Sequence, residues 1–175
     1  MKALILCGGK GSRLSPLTDT QPKCMVDVAG KPVLKRIVDY LHTYHIYDIV
    51  INIHKYPEQV MKYFGNDLLY YYEPEPLGEH ITEQNLRVWL GDQYLVMNGD
   101  TLTDLALDRM VNLGKDKHLT VESISNGIYT GIKFVNINCP TLTYNFHCWW
   151  QDMGTPEGLK KAIQYYEAVG SMSNM

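Results

Sequence analysis

The sequence predicts an α/β fold in three layers, a mostly parallel sheet with helices on both faces. Three observations lead there. Short apolar runs alternate along the chain with segments whose apolar residues recur at helical spacing, the pattern of strands joined by helical crossovers. The first apolar run is continuous, as in a strand buried on both faces. Polar, glycine-bearing motifs follow several of these runs, at the strand ends where such sheets bind ligands. The 175 residues suit one domain and can bury a core without staples. Residues 1–170 are read as that domain, and Ser171–Met175 as a small, polar, frayed tail.

Each element has its own signal. Ala3–Cys7 is the buried first strand, and the Gly, Ser, Pro, Thr and Asp of residues 8–22 form a long loop. Pro32 suits a first helical turn, with Val33, Leu34, Ile37, Val38 and Leu41 following at helical spacing. Asp48–Ile53 is the second strand. Pro57 opens a helix through Phe64, and Leu68–Tyr72 is the third strand. Ile81–Leu90 is a helix, Gln93–Met97 a fourth strand ending at Asn98-Gly99-Asp100, and Leu105–Leu113 a helix. Leu119–Val135 holds one or two strands. Cys148–Gln151 is a short strand running into Asp152, and Pro156 starts a final helix through about Ala168.

Composition removes several function classes. Lys plus Arg is 16 and Asp plus Glu 19, a net charge of −3, so no basic excess calls for a nucleic-acid partner. The four cysteines form no C-x-x-C pair and read as isolated thiols in a reducing compartment, not a zinc site. Ala3–Cys7 is too short for a secretory signal, and no segment approaches the roughly 18 apolar residues that span a membrane. A cytoplasmic location without membrane contact is the expectation.

The first loop reads Gly8-Gly9-Lys10-Gly11-Ser12-Arg13. Glycines directly after a buried strand let successive amides turn inward as an anion nest, and Arg13 adds a fork suited to phosphate oxygens. It is neither of the two familiar phosphate loops. A Walker A motif needs glycine where Leu4 stands, and the Rossmann fingerprint fails at Leu14. Lys23 lies in the same loop, held by Pro16 and Pro22. Asp100 and Asp152 both sit where a strand gives way, and Mg²⁺ commonly takes one or two carboxylates plus substrate phosphates. Asp152 also reads as a cap or turn residue before Pro156, and Asp100 as a turn aspartate.

Taken together, Leu6–Leu14, Pro16-Leu17-Thr18, Pro22-Lys23, Gly30-Lys31-Pro32, Glu75-Pro76-Leu77-Gly78, Asn98-Gly99-Asp100 and Asp152–Glu157 resemble the sugar-1-phosphate nucleotidyltransferases in order and spacing. The resemblance implies a single Rossmann-like domain of the nucleotide-diphospho-sugar transferase type. It implies a reaction between a nucleoside triphosphate and a sugar 1-phosphate, with in-line attack on the α-phosphorus and release of pyrophosphate. It assigns Gly8, Gly9 and Gly11 to cradling the nucleotide, with Leu6, Ser12, Asn98 and Gly99 in the same set, and Gly78 near base and ribose. Arg13 and Lys23 hold the phosphates, and Asp100 and Asp152 bind Mg²⁺. A homo-oligomer is compatible with the resemblance.

The chain departs from the family in three places. Glu79-His80-Ile81-Thr82 replaces the small residues common after Pro-Leu-Gly. No Glu-Lys-Pro occurs, so its acceptor-binding lysine has only Lys133 as a substitute. The stretch from Asp100 to Asp152 is also short for the family, and that stretch normally supplies the wall of the sugar pocket. The nucleotide half reads as complete and the acceptor half as pared down. The base leans towards GTP or UTP. Two alternatives follow: the same chemistry with another phosphate acceptor such as phosphocholine, or a nucleotide-binding regulatory relative without turnover.

Overall fold

The computed structural model describes residues 1–172; residues 173–175, the end of the expected tail, lie outside the described residues. The chain builds one sheet of seven strands. β1 (Lys2–Leu6) lies between β4 (Asp48–Ile53) and β6 (Gln93–Asn98), parallel to both, and β5 (Leu69–Tyr72) extends the parallel part at the edge. Beyond β6 the sheet continues through β9 (Ile128–Asn136), β8 (Thr120–Ser125) and β10 (Thr141–Asn145). β9 runs antiparallel to both its neighbours, and β10 pairs in parallel with β8. The mostly parallel sheet follows the expectation.

Two small ribbons complete the strands. β2 (Asp27–Val28) pairs with β3 (Lys31–Pro32), and β7 (Thr101–Thr103) pairs antiparallel with β11 (Trp150–Asp152). The strand expected at Cys148–Gln151 appears as β11, shifted to Trp150–Asp152, whereas β2, β3, β7 and β10 are not visible in the sequence, because strands of two to five residues carry too little apolar pattern to register. Pro32 ends a strand and precedes the first helix instead of opening it; its φ of −55° suits both.

The helices cover the sheet unequally. α1 (Val33–Thr43), α2 (Pro57–Phe64), α4 (Leu107–Lys117) and α5 (Pro156–Met172) bury their apolar stripes in one cluster with Ala3, Ile5, Ile51 and Leu95. On the other face α3 (Glu79–Leu90) covers Leu4, Val50 and Val96 through Leu86, Trp89 and Leu90. Alternate residues of β1 therefore enter opposite clusters, which is why its apolar run is unbroken.

Some boundaries moved for identifiable reasons. α4 begins at Leu107 because the Leu105 carbonyl accepts the phenols of Tyr40 and Tyr44 and its N–H donates to Thr103 Oγ1, so Leu105 is held outside the helix. Asn126 and Gly127, at φ 51° and 80°, form a two-residue hairpin turn that divides Leu119–Val135 into two strands. α5 runs on to Met172, past Ala168.

Candidate active site

The site lies at the carboxyl ends of β1 and β6, where the strand order reverses. Gly99 fixes how closely these ends meet. Its N–H donates to the Leu6 carbonyl at 2.9 Å, and a Cβ there would lie 2.5 Å from Cys7 Sγ and 2.8 Å from Leu6 O. Only glycine lets the two ends approach this far.

The glycine loop leaves β1 under the control of a residue outside it. Asn52, at the end of β4, accepts the N–H groups of Cys7 at 2.6 Å and Gly8 at 3.2 Å through its Oδ1. The Gly8 amide is thus not a phosphate donor, although Gly8 still lines a cavity. The amides of Gly9, Lys10 and Gly11 make no hydrogen bond within the chain among the described residues, which leaves three successive donors for an anion. Gly11, at φ 70°, turns the chain into the short helical turn Ser12–Leu14, whose Leu14 is buried and anchors Arg13 beside it. Thr18 Oγ1 donates to the Gly11 carbonyl at 2.8 Å and closes the loop.

Lys23 is presented by a second short turn, Lys23–Met25, anchored by buried Cys24. Its ammonium is ion-paired with Asp100, both side chains being largely buried. Asp100 is followed directly by β7, whose partner β11 ends at Asp152, opposite Thr101. The Met153 N–H donates to the Asp100 carbonyl at 2.8 Å. Two aspartates 52 positions apart in sequence are therefore brought side by side by a ribbon of three residue pairs.

Gly154 marks the point of convergence. A Cβ there would lie 2.6 Å from Arg13 Nη2, 2.7 Å from Asp152 Oδ1 and 3.0 Å from Lys23 Nζ. Of the two local roles open to Asp152, it is not the cap of α5, but it does shape the turn before Pro156. Thr155 caps α5, its Oγ1 accepting the Gly158 N–H at 3.1 Å, while Asp152 Oδ1 accepts the Gly154 N–H.

Two cavities open on this cluster and share Leu6, Gly9 and Asp100. One, of about 220 Å³, is walled by Gly11, Ser12, Arg13, Lys23, Gly99 and Gly154. The other, of about 250 Å³, is walled by Gly8, Asn52, Glu73, Gly78, Glu79 and Asn98. The cationic side chains line the first, and the second has the character of a slot between glycines. Asn98 is held beneath β9, where a Cβ on Gly131 would lie 2.5 Å from its Nδ2. Among the described residues no three His, Cys, Asp or Glu side chains group as a metal cluster.

Lys133 does not join the cluster. Its ammonium is ion-paired with Glu79 and, at 2.7 Å, with Glu83. Burial pulls its pKa down, but the two carboxylates outweigh that and hold it above the ordinary lysine value. Its charge answers Glu79, an acidic residue that lines the second cavity.

Three polar residues of the site carry no motif: Asn52, Glu73 and Thr82. All are buried, at 4%, 1% and 0% exposure. The available signal was Asn52, a polar side chain near the end of the otherwise apolar strand Asp48–Ile53.

The family profile described as Nucleotidyl transferase matches residues 2–133, leaving Asp152 and α5 beyond the match. N-acetylmuramate alpha-1-phosphate uridylyltransferase of Neisseria meningitidis serogroup B is 41% identical over 113 residues, covering 60% of this chain and 49% of that protein. D-glycero-alpha-D-manno-heptose 1-phosphate guanylyltransferase of Campylobacter jejuni is 32% identical over 115 residues, covering 63% and 52%. The bifunctional protein GlmU of Methanococcus maripaludis is 32% identical, covering 64% of this chain and 28% of that one. The chain thus spans about half or less of these relatives' lengths. Among solved structures, HddC of Yersinia pseudotuberculosis complexed with GMP-PN shares the fold with a TM-score of 0.79 at 20% identity, over 94% of this chain and 99% of that one. No helix among the described residues is long and apolar enough to cross a membrane.

Proposed function

The chain belongs to the nucleotidyl transferase family, and from that premise we propose that it joins a nucleoside triphosphate to a sugar 1-phosphate and releases pyrophosphate. The observation that carries this reading is the convergence of Arg13, Lys23 and Asp152 within about 3 Å of one point at Gly154, with Asp100 ion-paired to the same lysine. A sugar phosphate oxygen attacks the α-phosphorus, a new P–O bond forms, and the bond to the β-phosphate oxygen breaks with its electron pair leaving on pyrophosphate. No covalent protein nucleophile is needed. The work is positioning and charge neutralisation.

The chain's own groups divide that work. The free amides of Gly9, Lys10 and Gly11 cradle the triphosphate, and Arg13 and Lys23 hold its β- and γ-phosphates. The slot between Gly8 and Gly78 takes base and ribose, with Asn98 in its wall and Gly99 in the wall of the neighbouring cavity. The two aspartates offer only oxygen ligands from adjacent strand ends, a donor set that fits Mg²⁺ together with substrate phosphates. When bound, Mg²⁺ supplies neutralisation of the charge that develops on the phosphate oxygens. Asp100, whose charge Lys23 balances in the free protein, and Asp152, oriented by the Gly154 amide, are the residues that would hold it.

A matrix of four triphosphates against a panel of sugar 1-phosphates, scored by pyrophosphate release with and without Mg²⁺, tests the reading and names the base, for which GTP or UTP is expected. Asp100→Asn should lower turnover on the order of 100-fold or more. Unchanged turnover in that variant would remove Asp100 from the reaction.

A second reading keeps the chemistry and changes the acceptor to another phosphate such as phosphocholine. The pairing of Lys133 with Glu79 and Glu83 favours it, because that lysine is committed elsewhere. Adding phosphocholine to the acceptor panel separates the two.

A further inference from the structure

Beneath the glycine loop lies a polar unit that the reaction scheme above does not use. Asn52 Oδ1 accepts the Cys7 and Gly8 amides, and Asn52 Nδ2 donates to Glu73 Oε1 at 3.1 Å. Glu73 Oε1 also accepts from Thr82 Oγ1, and Glu73 Oε2 accepts the Leu77 N–H at 3.3 Å. Thr82 in turn holds the Gly78 carbonyl through its N–H at 3.1 Å. One carboxylate thus bridges the loop that faces phosphates and the loop that faces the base. Gly8 packs directly on the bridge, since a Cβ there would lie 2.6 Å from Asn52 Nδ2 and 2.9 Å from Glu73 Oε2.

Energetics argue that this unit is kept for position. Glu73 is 1% exposed and, among the described residues, forms no ion pair. Burying a carboxylate costs several kcal/mol, and neutral donors offset this only in part. An apolar side chain of like volume would serve packing better. What an apolar side chain cannot do is fix the direction of two loops through hydrogen bonds.

We propose that Asn52 and Glu73 are positioning residues for nucleotidyl transfer: they consume the first two amides of the glycine loop, so that Gly9, Lys10 and Gly11 face the triphosphate in register with the base slot. The inference rests on the function proposed above. Its polarity is defined. Position 52 must accept from the loop, and positions 52 and 73 must be complementary, which here means that Asn52 donates and Glu73 accepts.

That polarity supplies the test. Asn52→Asp sets a second carboxylate against Glu73 and should raise KM for the triphosphate and lower kcat/KM by about 10-fold or more. Combining Asn52→Asp with Glu73→Gln reverses the polarity. The new carboxylate still accepts the Cys7 and Gly8 amides, and the new amide donates to it while its oxygen takes the Leu77 N–H. The double variant should recover to within about threefold of the wild-type kcat/KM. A double variant no better than Asn52→Asp, with both folded by circular dichroism, overturns the proposal. A purely structural pair would shift the melting temperature without moving KM.

Hydrogen exchange on the wild-type protein reads the same unit without any variant. The Cys7 and Gly8 amides should exchange slowly and those of Gly9, Lys10 and Gly11 fast; fast exchange at Cys7 and Gly8 overturns the proposal even where the variants do not fold. If wild type binds triphosphates but releases no pyrophosphate with any acceptor, the transfer reaction is what fails. The loop arrangement is then still judged by exchange and by triphosphate affinity in the two variants.

Discussion

Gly99 carries the tightest constraint in the site. Its missing side chain lets β6 end against β1, and an alanine Cβ would overlap the Leu6 carbonyl, which is backbone and cannot swing away. Gly99→Ala should therefore destabilise the protein by about 1–3 kcal/mol, the usual range for forced overpacking. It should also displace Asp100, the next residue. Urea unfolding reads the first effect and pyrophosphate release the second. A variant as stable as wild type would mean that the two strand ends can part. The same scale explains why Arg13 and Lys23 are held at defined positions: Arg13 lies within a helical turn and Lys23 opens one, each turn pinned by one buried neighbour, Leu14 or Cys24. Long cationic side chains on an open loop would lose more entropy on binding phosphate.

Among the elements, α4 rests on the β8–β9 hairpin through Gly114 and Phe134. A Cβ at Gly114 would lie 2.3 Å from the Phe134 ring, which is fully buried. Alanine favours a helix interior over glycine by about 1 kcal/mol. Overpacking against a ring with no room costs about 1–3 kcal/mol or more. The second effect is the larger, so Gly114→Ala should lower the melting temperature despite better helix propensity. A raised melting temperature would show that the hairpin yields. The outcome matters for function because β9 also carries Gly131, which seats Asn98, and Lys133, which balances Glu79.

The whole molecule should be sensitive to alkali. Burial pushes the phenols of Tyr40 and Tyr94 well above their ordinary value, with Tyr44 adding to the effect at Tyr40 and Glu83 at Tyr94. The folded chain therefore keeps protons that the unfolded chain releases above about pH 10. Stability from these neutral phenols is fully present below that pH and falls as pH rises. Absorbance of the phenolate and circular dichroism, followed together from pH 8 upward, should show part of the tyrosines ionising only as the fold is lost. Ionisation of all 13 tyrosines near pH 10 with the fold intact would contradict this. Tyr94→Phe should make the decline shallower.

The long periodic elements were legible because their pattern is local. α2 keeps the bounds Pro57–Phe64, and β4 the bounds Asp48–Ile53. The glycine loop, Arg13, Lys23 and both aspartates were legible as chemistry, since their residue types and order suffice to suggest phosphate binding. Their meeting was not. It depends on a ribbon of three residue pairs between β7 and β11, too short to leave a periodic trace, which sets Asp152 beside Asp100. The second task of the glycine loop was likewise hidden, because Asn52 and Glu73 belong to other strands and touch Gly8 only in the folded chain. The sequence by itself determined the fold class and singled out the residues proposed to meet phosphate, both through local pattern and residue type. Only the tertiary structure decided which amides are free, which carboxylates converge and which lysine is already neutralised, because each of these is a contact between residues far apart along the chain.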